Sequence, residues 1–155
     1  MPPIVRTRGL RKSYALPGRR VEAVRGLDLE IDRPGFFAIM GPSGSGKSTL
    51  LHLLAALDRP DEGTIEVGGR RVDQLDEAAL TRYRRRDIGL VFQQFNLIPT
   101  LTALDNVALP AMLDGVPDGE RRDRATELLE RLGLAERLRH RPEALSGGEQ
   151  QRVAI

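Results

Sequence analysis

Residues 41–49 read GPSGSGKST, and residue types at this spacing suit one task, the holding of a phosphate chain. The pattern is G-x-x-x-x-G-K-[ST], carried by Gly41, Gly46, Lys47 and Ser48. Glycines let the backbone turn tightly enough for successive N–H groups to point inward at anionic oxygens. Gly44 adds another position without a Cβ, and Pro42, Ser43, Ser45 and Thr49 complete the stretch. Lys47 is expected to reach the β/γ-phosphates of a nucleotide, with the Ser48 hydroxyl on Mg²⁺. Among 24 basic residues only Lys12 and Lys47 are lysine; the rest are arginine. A compact ammonium therefore stands at the one loop position that calls for it.

Such a loop works only between a strand and a helix. Residues 36–40, Phe-Phe-Ala-Ile-Met, follow the turn-like Arg33-Pro34-Gly35 and predict a buried strand. Leu50, Leu51, Leu53, Leu54 and Leu57 recur at helical spacing, so a helix opens at the loop and aims its N-terminal dipole at the anion. Upstream, residues 4–14 and 21–31 read as strands, with a turn over residues 15–18. Downstream, residues 60–63 form a loop, and residues 64–67 and 70–72 flank Gly68-Gly69, a hairpin signal. A helix is predicted over about residues 76–86, a strand over 88–92 and an irregular stretch over 93–100. Residues 103–113 read as a helix that Pro110 should kink or break. A clearer helix spans about residues 118–132, with Ala125, Leu128, Leu129 and Leu132 on one face. Antiparallel strands, then strand–loop–helix, then a helical stretch imply an α/β nucleotide core with a β subdomain and a helical insertion.

A second motif, LSGGE, occupies residues 145–149. Ser146 with Glu149 three residues later is a capping box, the ordinary opening of a helix. A helix N-terminus carrying a serine hydroxyl and the bare glycines Gly147 and Gly148 is also suited to an anion. The two readings are compatible.

Composition narrows the classes. A length of 155 residues predicts one domain, and 40% hydrophobic residues can supply its core. The formal charge of +2 and the spread of acidic residues argue against a nucleic-acid partner; Arg82, Arg84, Arg85 and Arg86 are followed by Asp87 and read as a solvated helix face. With no cysteine there is no disulfide framework. The N-terminal residues lack an apolar signal segment, and the apolar stretches are too short to span a bilayer. The expectation is a soluble, cytoplasmic protein whose membrane role comes through a partner.

With both motifs in place the chain resembles the ATP-binding subunits of ABC transporters over essentially all of its length. GPSGSGKST corresponds to Walker A and LSGGE to the family signature; Val91-Phe92-Gln93 is similar to the Q-loop. The resemblance implies a P-loop NTPase core with an antiparallel β subdomain and a helical subdomain. Residues 1–92 would form the β subdomain and core, and 93–155 the Q-loop and helical part. It implies ATP and Mg²⁺ as cofactors, Lys47 and Gln93 as catalytic residues, and Ser48 and Gln93 at the metal. It also implies Tyr14 as the aromatic stacked on adenine, and a head-to-tail dimer in which Ser146, Gly147, Gly148 and Glu149 face the nucleotide of a second ATP-binding subunit. Residues 92–110 look most like the group serving lipoprotein release and macrolide efflux, which implies an integral membrane permease, FtsX-like, at the inner face of the plasma membrane. Glu149 replaces the glutamine of the common LSGGQ form.

The family pattern also requires four apolar residues ending in Asp-Glu, and then a switch histidine. No such run occurs in the 155 residues; Glu62, Glu77 and Glu143 lie in predicted loops or helix starts, and His52 and His140 stand where the family has no switch. The sequence reading therefore expects a fragment lacking the C-terminal part of the core, weakly stable and catalytically inactive by itself. The competing readings are a silent nucleotide-binding remnant and a non-transport ABC ATPase. A GTPase is disfavoured because no D-x-x-G follows the loop and no N-K-x-D occurs.

Overall fold

The computed structural model describes residues 3–155, which fall into two compact units divided between Gly89 and Leu90. In the first unit, β1 (Val5–Leu16) and β2 (Arg19–Ile31) form one long antiparallel hairpin. Its turn is only Pro17-Gly18, where Gly18 takes a φ of 74°, tighter than the four residues expected. β3 (Glu62–Val67) pairs antiparallel with the other edge of β1. Gly68 and Gly69, both at positive φ, then reverse the chain into β4 (Arg70–Arg71), as a two-residue primed turn requires. The sheet order is β2-β1-β3-β4. Val72 leaves the strand for a short 3-10 turn and buries its side chain.

Two helices cover this sheet. α1 (Lys47–Leu54) contributes Leu50 and Leu53, and α2 (Glu77–Arg86) contributes Leu80 and Tyr83; these pack with Leu10, Val24 and Ile65 of the sheet. α1 stops at Leu54 instead of running on to Leu57, because Ala56 takes a left-handed φ of 53°. α2 secures that end. The Tyr83 hydroxyl donates to the Leu54 carbonyl at 2.7 Å, and Arg84 donates to the Ala56 carbonyl at 2.9 Å. Tyr83 is buried, which pushes its phenol up to about 12 and keeps it a neutral donor.

Two expected strands are absent. Residues 36–40 and 88–92 form no ladder, and Phe36 and Met40 are 98% and 90% exposed. An apolar run reports the environment a strand would want. Forming the strand also requires a neighbouring backbone edge to take its N–H and C=O groups, and among the described residues these segments have none.

The second unit is helical: α3 (Ala103–Leu113), α4 (Asp118–Arg131) and α5 (Gly147–Ala154), with 3-10 turns at Ala135–Arg137 and Pro142–Ala144. Ala103, Leu129, Leu134, Leu145 and Val153 form its core. α3 covers the residues expected of it and is not broken at Pro110. The carbonyl that loses its N–H partner is that of Asn106, a half-buried residue outside the dry core. The helix start is well anchored: Thr102 caps Asp105 N, and the Asn106 side chain bonds the backbone of Ile98, Leu101 and Thr102. Among the described residues no helix is long and apolar enough to cross a membrane.

Replacing Tyr83 by Phe removes the hydroxyl and orphans a part-buried carbonyl, so it is expected to lower stability by about 1 kcal/mol. Urea unfolding followed by far-UV circular dichroism measures this as a lower midpoint with an unchanged slope.

Candidate functional site

The loop before α1 is built by the hairpin beneath it. The β1–β2 register jumps from Lys12↔Val24 to Ser13↔Glu22, leaving Ala23 without a partner in β1. This bulged backbone reaches the loop: a Cβ placed on Gly46 would lie 2.2 Å from the Ala23 carbonyl oxygen. Gly46 also takes a φ of 85° as the residue preceding α1. Both facts demand glycine there. No side chain caps α1, so its first N–H groups stay available to an anion.

Lys47 folds back over the loop. Its Nζ donates to the carbonyls of Gly41 at 2.9 Å and Pro42 at 2.7 Å, with the Ser45 hydroxyl at 3.3 Å. No carboxylate takes part in these contacts, so the ammonium keeps an uncompensated charge. An open cavity of about 710 Å³ borders the loop, with Gly41, Gly44, Gly46 and Lys47 on one side and β2 residues on the other. Uncapped helix N–H groups, a cation held by neutral oxygens and a glycine that admits no Cβ fit the phosphates of a nucleotide. Ser48 is exposed at the first turn of α1 and Thr49 is half-buried beside it. Among the described residues no three His, Cys, Asp or Glu side chains cluster as a metal site.

Tyr14 lies in the same unit, half-buried on β1. Its hydroxyl donates to Asp58 Oδ2 at 2.8 Å, and the Lys12 ammonium stands 5.4 Å from its ring centroid. Lys12 Nζ also donates to Asp58 Oδ1 at 2.6 Å and the Arg59 carbonyl at 2.7 Å. Burial raises the Tyr14 phenol, and Asp58 adds to the effect. Burial also works to raise Asp58, but the Lys12 and Tyr14 hydrogen bonds outweigh it and hold the carboxyl below its ordinary value. Sequence reading missed Asp58 and gave Lys12 no role. The available signal was Lys12 at two residues from Tyr14, on the same strand face.

Gln93 and the signature residues belong to the second unit. Gln93 is exposed in a turn ahead of Phe95 and Asn96, both at positive φ. Ser146, Gly147 and Gly148 lie exposed at the start of α5. The capping box forms as expected: Ser146 Oγ accepts from Glu149 N at 3.3 Å, and Glu149 Oε2 accepts from Ser146 N at 2.7 Å. Arg137 adds a bond from its Nε to Glu149 Oε1 at 2.9 Å, a partner no local motif announced. The Ser146 backbone N–H, with help from Arg137, holds the Glu149 carboxyl down at about 2.

Comparison with known proteins identifies the family. The ABC transporter family model matches residues 24–155. The chain belongs to the ABC transporter family. Its fold is the α/β P-loop NTPase fold of that family's ATP-binding cassettes. It is 44% identical to the ATP-binding cassette MJ0796, solved as a dimer in a post-hydrolysis state bound to ADP and Pi. That match has a TM-score of 0.89 and covers 97% of this chain and 66% of the other. It is 50% identical over 148 residues to a macrolide export ATP-binding/permease protein, MacB, of Bdellovibrio bacteriovorus, covering 96% of this chain and 22% of that protein. It is 49% identical over 146 residues to the lipoprotein-releasing system ATP-binding protein LolD of Maricaulis maris, covering 94% of this chain and 64% of that protein. The chain thus spans under two thirds of the length of these curated relatives.

Gly46→Ala is expected to weaken binding of a fluorescent ATP analogue at least about tenfold, since a Cβ meets backbone that cannot yield. Fluorescence titration measures it. Glu149 supplies a pH test. Its folded pKa of about 2 lies below the ordinary 4.5. Its stabilisation is therefore complete above pH 4.5 and lost as the pH falls toward 2. Glu149→Gln lacks that loss, so its urea midpoint is expected to fall less between pH 6 and pH 3 than that of the unsubstituted chain.

Proposed function

We propose that this chain is the nucleotide-holding part of an ABC transporter's ATP-binding subunit, which couples ATP binding and hydrolysis to a membrane permease. The observation that carries the reading is the Lys47 ammonium held by the neutral carbonyls of Gly41 and Pro42. An ammonium so placed exchanges neutral oxygens for phosphate oxygens without first breaking an ion pair. Lys47 would hold the β/γ-phosphates, the first N–H groups of α1 would hold the phosphate oxygens, and the Ser48 hydroxyl would be a ligand to Mg²⁺. ATP bound in this way supplies the phosphoanhydride whose cleavage drives the cycle.

Ser146, Gly147 and Gly148 would face the nucleotide of a second subunit arranged head to tail. Their exposure at the start of α5 supports this role, as does the dimeric state of the 44% identical cassette. A permease partner and a role in export or lipoprotein release rest on the relatives named for macrolide export and lipoprotein release. The site would then work at the inner face of the membrane through that permease, as a peripheral subunit. Residues 93–117 are the part of the chain offered to it.

Hydrolysis is a separate matter. Polarising an attacking water calls for a carboxylate, and the 155 residues contain no apolar run ending in Asp-Glu. The chain by itself is read as a binder with no sustained turnover. Calorimetric titration with Mg²⁺-ATP, alongside a phosphate-release assay, tests both statements. The expected result is saturable binding, weakened at least about tenfold by Lys47→Ala, with phosphate release at background. Unchanged binding in Lys47→Ala contradicts the site, and steady phosphate release contradicts the division between binding and turnover.

A further inference from the structure

Lys12 and Asp58 form a half-buried polar pair beside the Tyr14 hydroxyl. The Lys12 side chain is only 12% exposed, yet its ammonium is fully engaged by Asp58 Oδ1 and the Arg59 carbonyl. Asp58 spends its other oxygen on the Tyr14 hydroxyl. Its segment is tied again to the strand bearing Tyr14, since Ser13 N donates to Asp61 Oδ2 at 2.8 Å and Asp61 N donates to the Arg11 carbonyl at 2.9 Å. Asp58 lies just beyond the end of α1, the helix that the phosphate loop opens. The phenol of β1 is thus tied to the helix that carries Lys47 directly through the Thr49 side chain, and through Asp58 to the segment that follows the helix.

The chemistry at Tyr14 is specific. A hydrogen bond at the para oxygen fixes the edge of the ring, and an ammonium near its face is attracted by the ring's quadrupole. An aromatic ring so restrained loses little freedom when a flat base stacks on it. Arginine could pair with Asp58 equally well, and arginine fills nearly every other basic position in the chain. A compact point charge that meets a carboxylate, a carbonyl and a ring together is what lysine offers instead.

We propose that Lys12 and Asp58 are positioning residues for a nucleobase platform formed by Tyr14, so that the site prefers a triphosphate carrying a base over a bare polyphosphate. The proposal rests on the reading of Tyr14 as the residue that stacks on the base. Asp58, together with Thr49, sets where the ring stands relative to α1. Lys12 neutralises Asp58 and backs the ring.

The test measures, by calorimetry on the 155-residue chain, dissociation constants for Mg²⁺-ATP and Mg²⁺-tripolyphosphate. The ratio of the two reads the base; tripolyphosphate alone reads the loop and reports whether each variant is folded. The unsubstituted chain is expected to favour ATP about tenfold, and Tyr14→Ala to erase that preference. Lys12→Met, Asp58→Asn and Tyr14→Phe are each expected to reduce the preference about threefold while tripolyphosphate affinity stays within about twofold. If Tyr14→Ala erases the preference but Lys12→Met and Asp58→Asn keep it whole, the proposal is wrong and the stacking reading survives. If Tyr14→Ala keeps the preference, both fail. A parallel fall in both affinities in Lys12→Met and Asp58→Asn reduces the pair to a tie in the fold and overturns the proposal. No binding of either compound removes the phosphate site and the proposal with it.

Discussion

The site depends on one contact that has no counter-charge, the Lys47 ammonium against the neutral carbonyls of Gly41 and Pro42. Carbonyl dipoles hold the cation in place but do not neutralise it, so the loop stays electropositive. The α1 N-terminus adds uncapped N–H groups of the same sign. Neither feature survives a shift of the loop. Its position is set by Gly46, seated where the bulged Ala23 carbonyl leaves no room for a Cβ. A local irregularity in a hairpin thus fixes the geometry of the charged site above it.

The far end of α1 is held with similar care. Tyr83 and Arg84 take the carbonyls of Leu54 and Ala56, and Asp58 connects the following segment to Tyr14 and Lys12. A helix of only eight residues draws little stability from its own hydrogen bonds. Its direction comes from Leu50 and Leu53 in the core and from these polar ties at its end. The second unit repeats the principle on a smaller scale. The Ser146–Glu149 capping box starts α5, and Arg137 compensates the carboxylate that stands beside it. That compensation matters because Glu149 puts a negative charge beside the residues read as facing a phosphate.

Local features were legible in the sequence. GPSGSGKST, the Gly68-Gly69 reversal and the Ser146 capping box each need only a few adjacent residues, and each forms where the pattern predicts. Features that depend on a distant partner were not. The apolar run at 36–40 reads as a strand, yet among the described residues it finds no backbone edge and stays exposed. Asp58 and Arg137 look like ordinary surface charges until folding sets them against Tyr14 and Glu149. The Ala56 turn that ends α1 carries no glycine or proline to announce it. Composition did leave one usable trace. In an arginine-rich chain, both lysines fall at positions where a compact ammonium has specific work: Lys47 in the loop and Lys12 beneath Tyr14.

That scarcity of lysine permits a direct test of the central claim, that the Lys47 ammonium exchanges loop carbonyls for phosphate oxygens. Labelling lysine alone with ¹³C at Cε gives one signal each from Lys12 and Lys47, the only two lysines in the chain. Titration with Mg²⁺-ATP is predicted to move the Lys47 signal in step with binding. A saturating ATP titration that leaves the Lys47 signal unmoved would contradict the account.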